Sequence, residues 1–179
     1  MGIMLASLLW GFGEATLFFI IPDVLLSAIA LRSGKKAFYA CFCSLIGALI
    51  GGSILYVWGA GQPSESAHII EKVPAIDQTM MQEVKVSLAS DGLIEMVLGP
   101  TKGIPYKIYA ITANSVGISY LAFLIASIPA RFLRFFLVSI LTWSISTYVL
   151  KKQSMKIKYT IWAAVWIIIY FFYFMNNPS

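Results

Sequence analysis

Charge is what this sequence has least of. Only 12% of its 179 residues are charged, with 13 Lys and Arg against 8 Asp and Glu, while hydrophobic residues reach 59%. With a mean hydropathy of +0.82, that balance falls outside the range of a soluble domain and marks an integral membrane protein. Histidine occurs once, as His68 in a polar stretch, and cysteine twice, as Cys41 and Cys43. One histidine is too few for most metal constellations. Two cysteines two residues apart lie on different faces of a helix, so neither a metal site nor a disulfide is expected. The P-loop, GxSxG and HExxH patterns are missing as well, and the chain reads as a non-enzyme with no cofactor. The basic residues sit beside apolar runs without interleaved aromatics. The formal charge of +5 therefore reports topology and anionic lipid headgroups rather than nucleic acid.

Long apolar runs are what the chain does have, and one stretch interrupts them most sharply: Gly99-Pro100-Thr101-Lys102-Gly103-Ile104-Pro105-Tyr106-Lys107. Each proline removes a backbone donor and restricts the residue before it, and Gly103 loosens the chain between them, so no straight helix passes through. The apolar flanks are each shorter than the roughly 20 residues a spanning helix needs. A hairpin that enters the bilayer and leaves by the same face fits best, and non-helical backbone at that depth requires a covering cavity.

The N-terminal region shows a similar pattern. It lacks a basic n-region and is expected to be retained rather than cleaved. Met1 to Gly13 is apolar and too short to span, Glu14 follows, and Ala15 to Leu31 is broken at Pro22-Asp23. As one helix this run would extend about 45 Å, so a hairpin again fits better, with its exit at Arg32, Lys35 and Lys36 on the cytoplasmic side. Ala37 to Trp58 reads as a spanning helix, in which Gly47 and Gly51 allow another helix to approach closely. In the polar connector, residues 62–66 read as loop, Val73-Pro74 as a break, and residues 75–90 as a short interfacial helix. Ile118 to Leu150 is a long apolar stretch containing Pro129, Arg131 and Arg134. Lys151, Lys152, Lys156 and Lys158 mark a second cytoplasmic loop, and Ile161 to Met175 a last span that leaves the C-terminus outside.

These crossings predict an all-α integral membrane protein, with two oppositely facing re-entrant helical hairpins and about three transmembrane helices in an inverted-topology repeat. One transmembrane domain covers residues 1–179. Its first half-repeat is residues 1–59, its connector residues 60–92, its second half-repeat residues 93–150 and its final helix residues 159–175. Pro22, Pro100, Gly103 and Pro105 are the expected hairpin breaks.

Glu14 and Asp23 lie in apolar sequence, where an ionised carboxylate costs at least about 2.5 kcal/mol. Lys102, Lys107, Arg131 and Arg134 are the cations available to them. Such pairs either pin the hairpins together or belong to a site in which the acids titrate or the cations hold an anion. Arg131 and Arg134, three apart on one helical face, suit clamping a phosphate or carboxylate with forked donors. The other reading of these arginines is snorkelling to an interface.

Glu14 followed by residues 21–26 (Ile-Pro-Asp-Val-Leu-Leu), the glycine-rich residues 47–53, residues 103–107 (Gly-Ile-Pro-Tyr-Lys) and residues 131–135 (Arg-Phe-Leu-Arg-Phe) together resemble the DedA superfamily, in particular its YqaA-like branch. The likeness covers roughly residues 10 to 145. It implies two re-entrant hairpins facing one another, recycling of polyprenyl-phosphate carriers across the inner membrane in bacterial members, and phospholipid scrambling in distant eukaryotic relatives. It also implies that the family's acidic and basic functional positions correspond to Glu14, Asp23, Lys102 and Lys107. Lys102, Pro105 and Lys107 stand where many members have arginine, proline and arginine, and lysine lacks the forked donor. The expected function is a flippase or scramblase of anionic headgroups in the bacterial inner membrane. Its expected partners are membrane lipids carrying phosphate and a second copy of the chain in a homo-oligomer. The alternatives are a proton-coupled transporter of a small ion or solute, with protons as coupling ion, and an assembly or scaffold protein.

Overall fold

A computed structural model describes residues 2–176; the expected outward C-terminus lies at residues 177–179, outside that range. Among the described residues nine α-helices follow in order: α1 (Gly2–Ala15), α2 (Asp23–Ala30), α3 (Gly34–Gly61), α4 (Pro63–Ile70), α5 (Gln78–Asp91), α6 (Leu93–Leu98), α7 (Tyr106–Thr112), α8 (Tyr120–Ser144) and α9 (Met155–Asn176). There is no strand among the described residues. Three stretches, Gly34–Gly61, Tyr120–Val149 and Met155–Met175, are long and apolar enough to cross a membrane, and the chain is a membrane protein on that ground. The third extends six residues N-terminal to the expected start at Ile161.

Caps and turns explain where the helices begin and end. The Ser33 hydroxyl accepts from the Lys36 amide at 3.3 Å at the start of α3, and the Ser119 hydroxyl accepts from the Ala122 amide at 3.4 Å at the start of α8. These side chains satisfy amides that have no partner inside the helix. A short 3-10 turn, Gly99–Lys102, follows α6 and closes on Gly103, whose φ of +93° is open to glycine at little cost. The loop expected over residues 62–66 is corrected: α4 starts there, because Pro63 occupies the first turn, where its missing amide donor costs nothing.

Two faces of α3 hold the molecule together. On one, α1 lies in backbone contact: a side chain at Gly47 would overlap the Leu8 carbonyl, and one at Gly11 would overlap the Ser44 carbonyl. The Ser44 hydroxyl donates to the Ser7 carbonyl at 2.9 Å across this seam. On the other face, Gly52 makes room for the Tyr106 hydroxyl and Gly59 for the backbone at Ile111, while Tyr56 donates to the Ile118 carbonyl at 2.7 Å. The glycines are therefore spent on packing α1 and α7 against α3.

The polar ties sort the molecule into two ends. The Ser146 hydroxyl donates to the Leu31 carbonyl at 2.8 Å, and the Lys158 ammonium donates to the Ser146 carbonyl at 2.7 Å. The basic loops at 32–36 and 151–158 thus share one end, and the connector 62–92 follows α3 at the other. Helix α9 stands at the side, tied to α2 by Trp162 and Trp166, which both donate to the Ser27 hydroxyl at 2.9 and 3.0 Å. Its remaining faces, with Ile167, Phe171 and Phe172 exposed, suit contact with lipid chains.

Gly47→Ala removes the α1–α3 contact without touching a charge. Alanine is the better helix former by about 0.8–1.0 kcal/mol, yet its methyl cannot fit against the Leu8 carbonyl, and we expect a net loss of about 1–3 kcal/mol. Gly61→Ala, with open space around it, should leave the thermal melting temperature of the purified protein unchanged or higher, while Gly47→Ala lowers it.

Candidate functional site

Two segments break the helical pattern, residues 16–22 between α1 and α2 and residues 99–105 between α6 and α7. Pro22 sits at the N-cap of α2, Pro100 in the 3-10 turn and Pro105 at the N-cap of α7. The first segment leaves backbone groups without helical partners, and side chains from three other elements meet them. Trp10 donates to the Ile20 carbonyl at 2.9 Å, the Ile21 amide donates to the Tyr170 hydroxyl at 3.1 Å, and the Lys107 ammonium donates to the Phe18 carbonyl at 2.8 Å. The last of these ties the first turn of α7, which follows the second broken segment, to the first segment.

The acids of the N-terminal region face arginines of α8. Glu14, 3% exposed, is ion-paired with Arg131, 1% exposed. The Arg131 guanidinium also lies over the rings of Tyr106 at 4.8 Å and Phe135 at 5.0 Å, where the aromatic faces attract its charge. Arg131 is buried in the interior, so the snorkelling reading does not describe it. Asp23 accepts from the Arg134 Nε at 2.8 Å, and Arg134 Nη1 donates to the Pro100 carbonyl at 3.1 Å. One guanidinium therefore holds the acid of the first break and the proline of the second. Within the described residues, Arg131 Nε and Asp23 Oδ1 have no hydrogen-bond partner.

Lys102 takes a separate course. The turn ending at Gly103 directs it to Glu95, whose carboxylate accepts from the Lys102 ammonium at 2.9 Å and from the Tyr109 hydroxyl at 3.0 Å. Glu95 is buried, while the Lys102 side chain is 59% exposed. Tyr109 reaches Glu95 only because Gly99 carries no side chain in its way. Five of the six charged residues singled out from the sequence thus come together, and Lys102 closes its own local clamp. Sequence reasoning missed Glu95, although it meets the criterion used for Glu14: an acid inside an apolar run, between Ile94 and Met96.

Beside these pairs lies a cavity of about 440 Å³, within the usual size range of small-ligand sites. Glu14, Lys107 and Arg134 are its charged lining. Its other walls are predominantly apolar: Phe19 and Ile21 from the first break, Ile104 and Pro105 from the second, Val73 and Ile76 from the connector, Leu133 and Leu137 from α8, and Ile169 with two tyrosines, Tyr170 and Tyr173, from α9. No group of three or more His, Cys, Asp or Glu side chains suited to a metal ion is found among the described residues.

No family model matches the chain, and no solved structure matches it. The chain is similar to an uncharacterized protein of Haemophilus influenzae, with 25% identity over 177 residues that cover 93% of this chain and 85% of the relative.

The pair in the interior makes a stability prediction. Arg131→Met leaves the Glu14 carboxylate buried without a partner and should cost about 3–5 kcal/mol. Adding Glu14→Met removes that charge and should recover most of the loss. Unfolding of the two variants in detergent, compared with wild type, checks this; equal destabilisation by both would show that the two residues do not act as a pair.

Proposed function

We propose that this protein is a DedA-like membrane lipid transporter, a flippase or scramblase that takes an anionic phosphate headgroup, polyprenyl phosphate or phospholipid, into the cavity between its two broken segments. The observation that carries this reading is the cavity's division of labour. Charged groups from α1, α7 and α8 form one part of its lining, and apolar side chains from five elements form the rest, which suits a charged head attached to an apolar tail. In this reading α1–α2 and α6–α7 are re-entrant hairpins that enter from opposite faces, and with α3 and α8 they make an inverted-topology repeat. The antiparallel course of α3 and α8 supports that arrangement: Gly34 lies against Trp143 and Tyr56 against Ile118. The basic loops gathered at one end support a cytoplasmic position for that end, in a bacterial inner membrane, by the positive-inside tendency. A proton relay through Glu14 and Asp23 is the less favoured reading, since each acid is already tied to an arginine.

The decisive experiment is transport of fluorescent polyprenyl phosphate and phospholipids in proteoliposomes. Glu14→Gln and Asp23→Asn should insert and yet lose transport, because the amide keeps the shape and loses the charge that orients the arginine. Normal transport by both variants would remove these acids from the mechanism. Topology is checked alongside by labelling a cysteine at Ser64 in a background lacking Cys41 and Cys43. Labelling from outside is expected, and labelling from the cytoplasm alone contradicts the inverted repeat.

A further inference from the structure

The charges around the cavity do not cancel. Arg131 is matched by Glu14 and Arg134 by Asp23, but Lys107, only 2% exposed, pairs with no carboxylate among the described residues; its ammonium rests on the Phe18 carbonyl alone. The charged and phenolic groups that line the cavity with it are Glu14 from α1, Arg134 from α8, Tyr170 and Tyr173 from α9, and Tyr106 on its own helix; Arg131 and Asp23 join this set through their ion pairs with Glu14 and Arg134. Two carboxylates against three cations leave an excess of one positive charge, carried by a residue that lines the cavity.

A buried charge without a counter-charge costs several kcal/mol of desolvation that a single carbonyl offsets only in part, so an added opposite charge is favourable there. A single negative charge at Lys107 brings the site to neutrality, and a second would restore an imbalance of opposite sign. We infer that the site selects its phosphate headgroup by charge, accepting one negative charge and rejecting two. Its ligands are accordingly phosphodiesters, or phosphomonoesters in their singly ionised form. This rests on the reading of the cavity as a headgroup site and specifies which phosphate chemistry it takes.

The test compares two lipids of identical acyl chains that differ in this respect. Phosphatidylglycerol is a phosphodiester with one charge at all working pH values. Phosphatidic acid is a monoester, and phosphate monoesters take on their second charge between mildly acidic and mildly alkaline pH. Binding of each to the full-length protein is measured by native mass spectrometry or by competition in nanodiscs across the range from mildly acidic to mildly alkaline, with phosphatidylcholine as reference. The readout is the ratio of the two affinities at each pH. The expected ratio is near one at the acid end, with phosphatidic acid falling behind by about tenfold or more at the alkaline end. Lys107→Gln should weaken both lipids by about tenfold and abolish their advantage over phosphatidylcholine, while Lys85→Gln, exposed on α5 and outside the cavity, should not.

If phosphatidic acid binds as well as or better than phosphatidylglycerol at alkaline pH, the site accepts a dianion and the charge selection is overturned, with the headgroup reading intact. If neither lipid binds better than phosphatidylcholine, the headgroup reading itself fails. Glycerophosphoglycerol, the same headgroup without tails, distinguishes the source of the phosphate: weak competition is expected, and competition equal to that of the lipid would assign the site to a soluble anion.

Discussion

Two ion pairs between the N-terminal acids and the arginines of α8 are the constraint on which the rest of this structure depends. Glu14 and Asp23 sit where a lone ionised carboxylate is costly, and Arg131 and Arg134 sit near the middle of a long apolar helix where a lone cation is equally so. Each charge makes the other tolerable. The spacing of the arginines, three apart on one face of α8, also sets how the elements meet: Arg131 reaches the end of α1 and Arg134 the start of α2. The break between those helices is thereby held against α8 at both of its edges.

Side chains that satisfy the broken backbone also line the cavity. Lys107 bonds the Phe18 carbonyl and faces the cavity; Arg134 bonds the Pro100 carbonyl and faces it too. Non-helical backbone away from water is stable only when its donors and acceptors find such partners. A ligand phosphate that draws Lys107 or Arg134 toward itself competes with those backbone carbonyls. Under the proposed headgroup reading, binding is therefore coupled to the conformation of both breaks. The glycines of α3 contribute at one remove, by letting α1 and α7 approach closely enough for the side chains to meet.

Much of this architecture can be read from residue types alone. The long helices follow from apolar length, and the breaks follow from Pro22, Pro100, Gly103 and Pro105, because a missing donor or a left-handed φ is a local property of the chain. Partnership is not local. Four cations were available to two acids, and nothing in their spacing distinguishes Lys102 from Arg131 as a partner of Glu14; only the turn at Gly103 sends Lys102 toward Glu95. Glu95 is legible by the same rule as Glu14, as an acid inside an apolar run. The start of α4 is ambiguous in sequence for a different reason: Pro63 with its polar neighbours has the composition of a loop, and the composition of a helix N-terminus is nearly the same.

The central claim, that Glu14 and Asp23 are both ionised partners of arginines and so leave Lys107 as the uncompensated cation, is tested most directly by infrared spectroscopy. Protonated carboxyl groups and carboxylates absorb in separate regions, and difference spectra of wild type against Glu14→Gln and against Asp23→Asn in lipid at neutral pH assign each acid. The account predicts that each substitution removes a carboxylate band and leaves the protonated-carboxyl region unchanged. Loss of a protonated-carboxyl band in either variant would mean that the acid is neutral, that its arginine carries an unmatched charge, and that the charge balance drawn around the cavity is wrong.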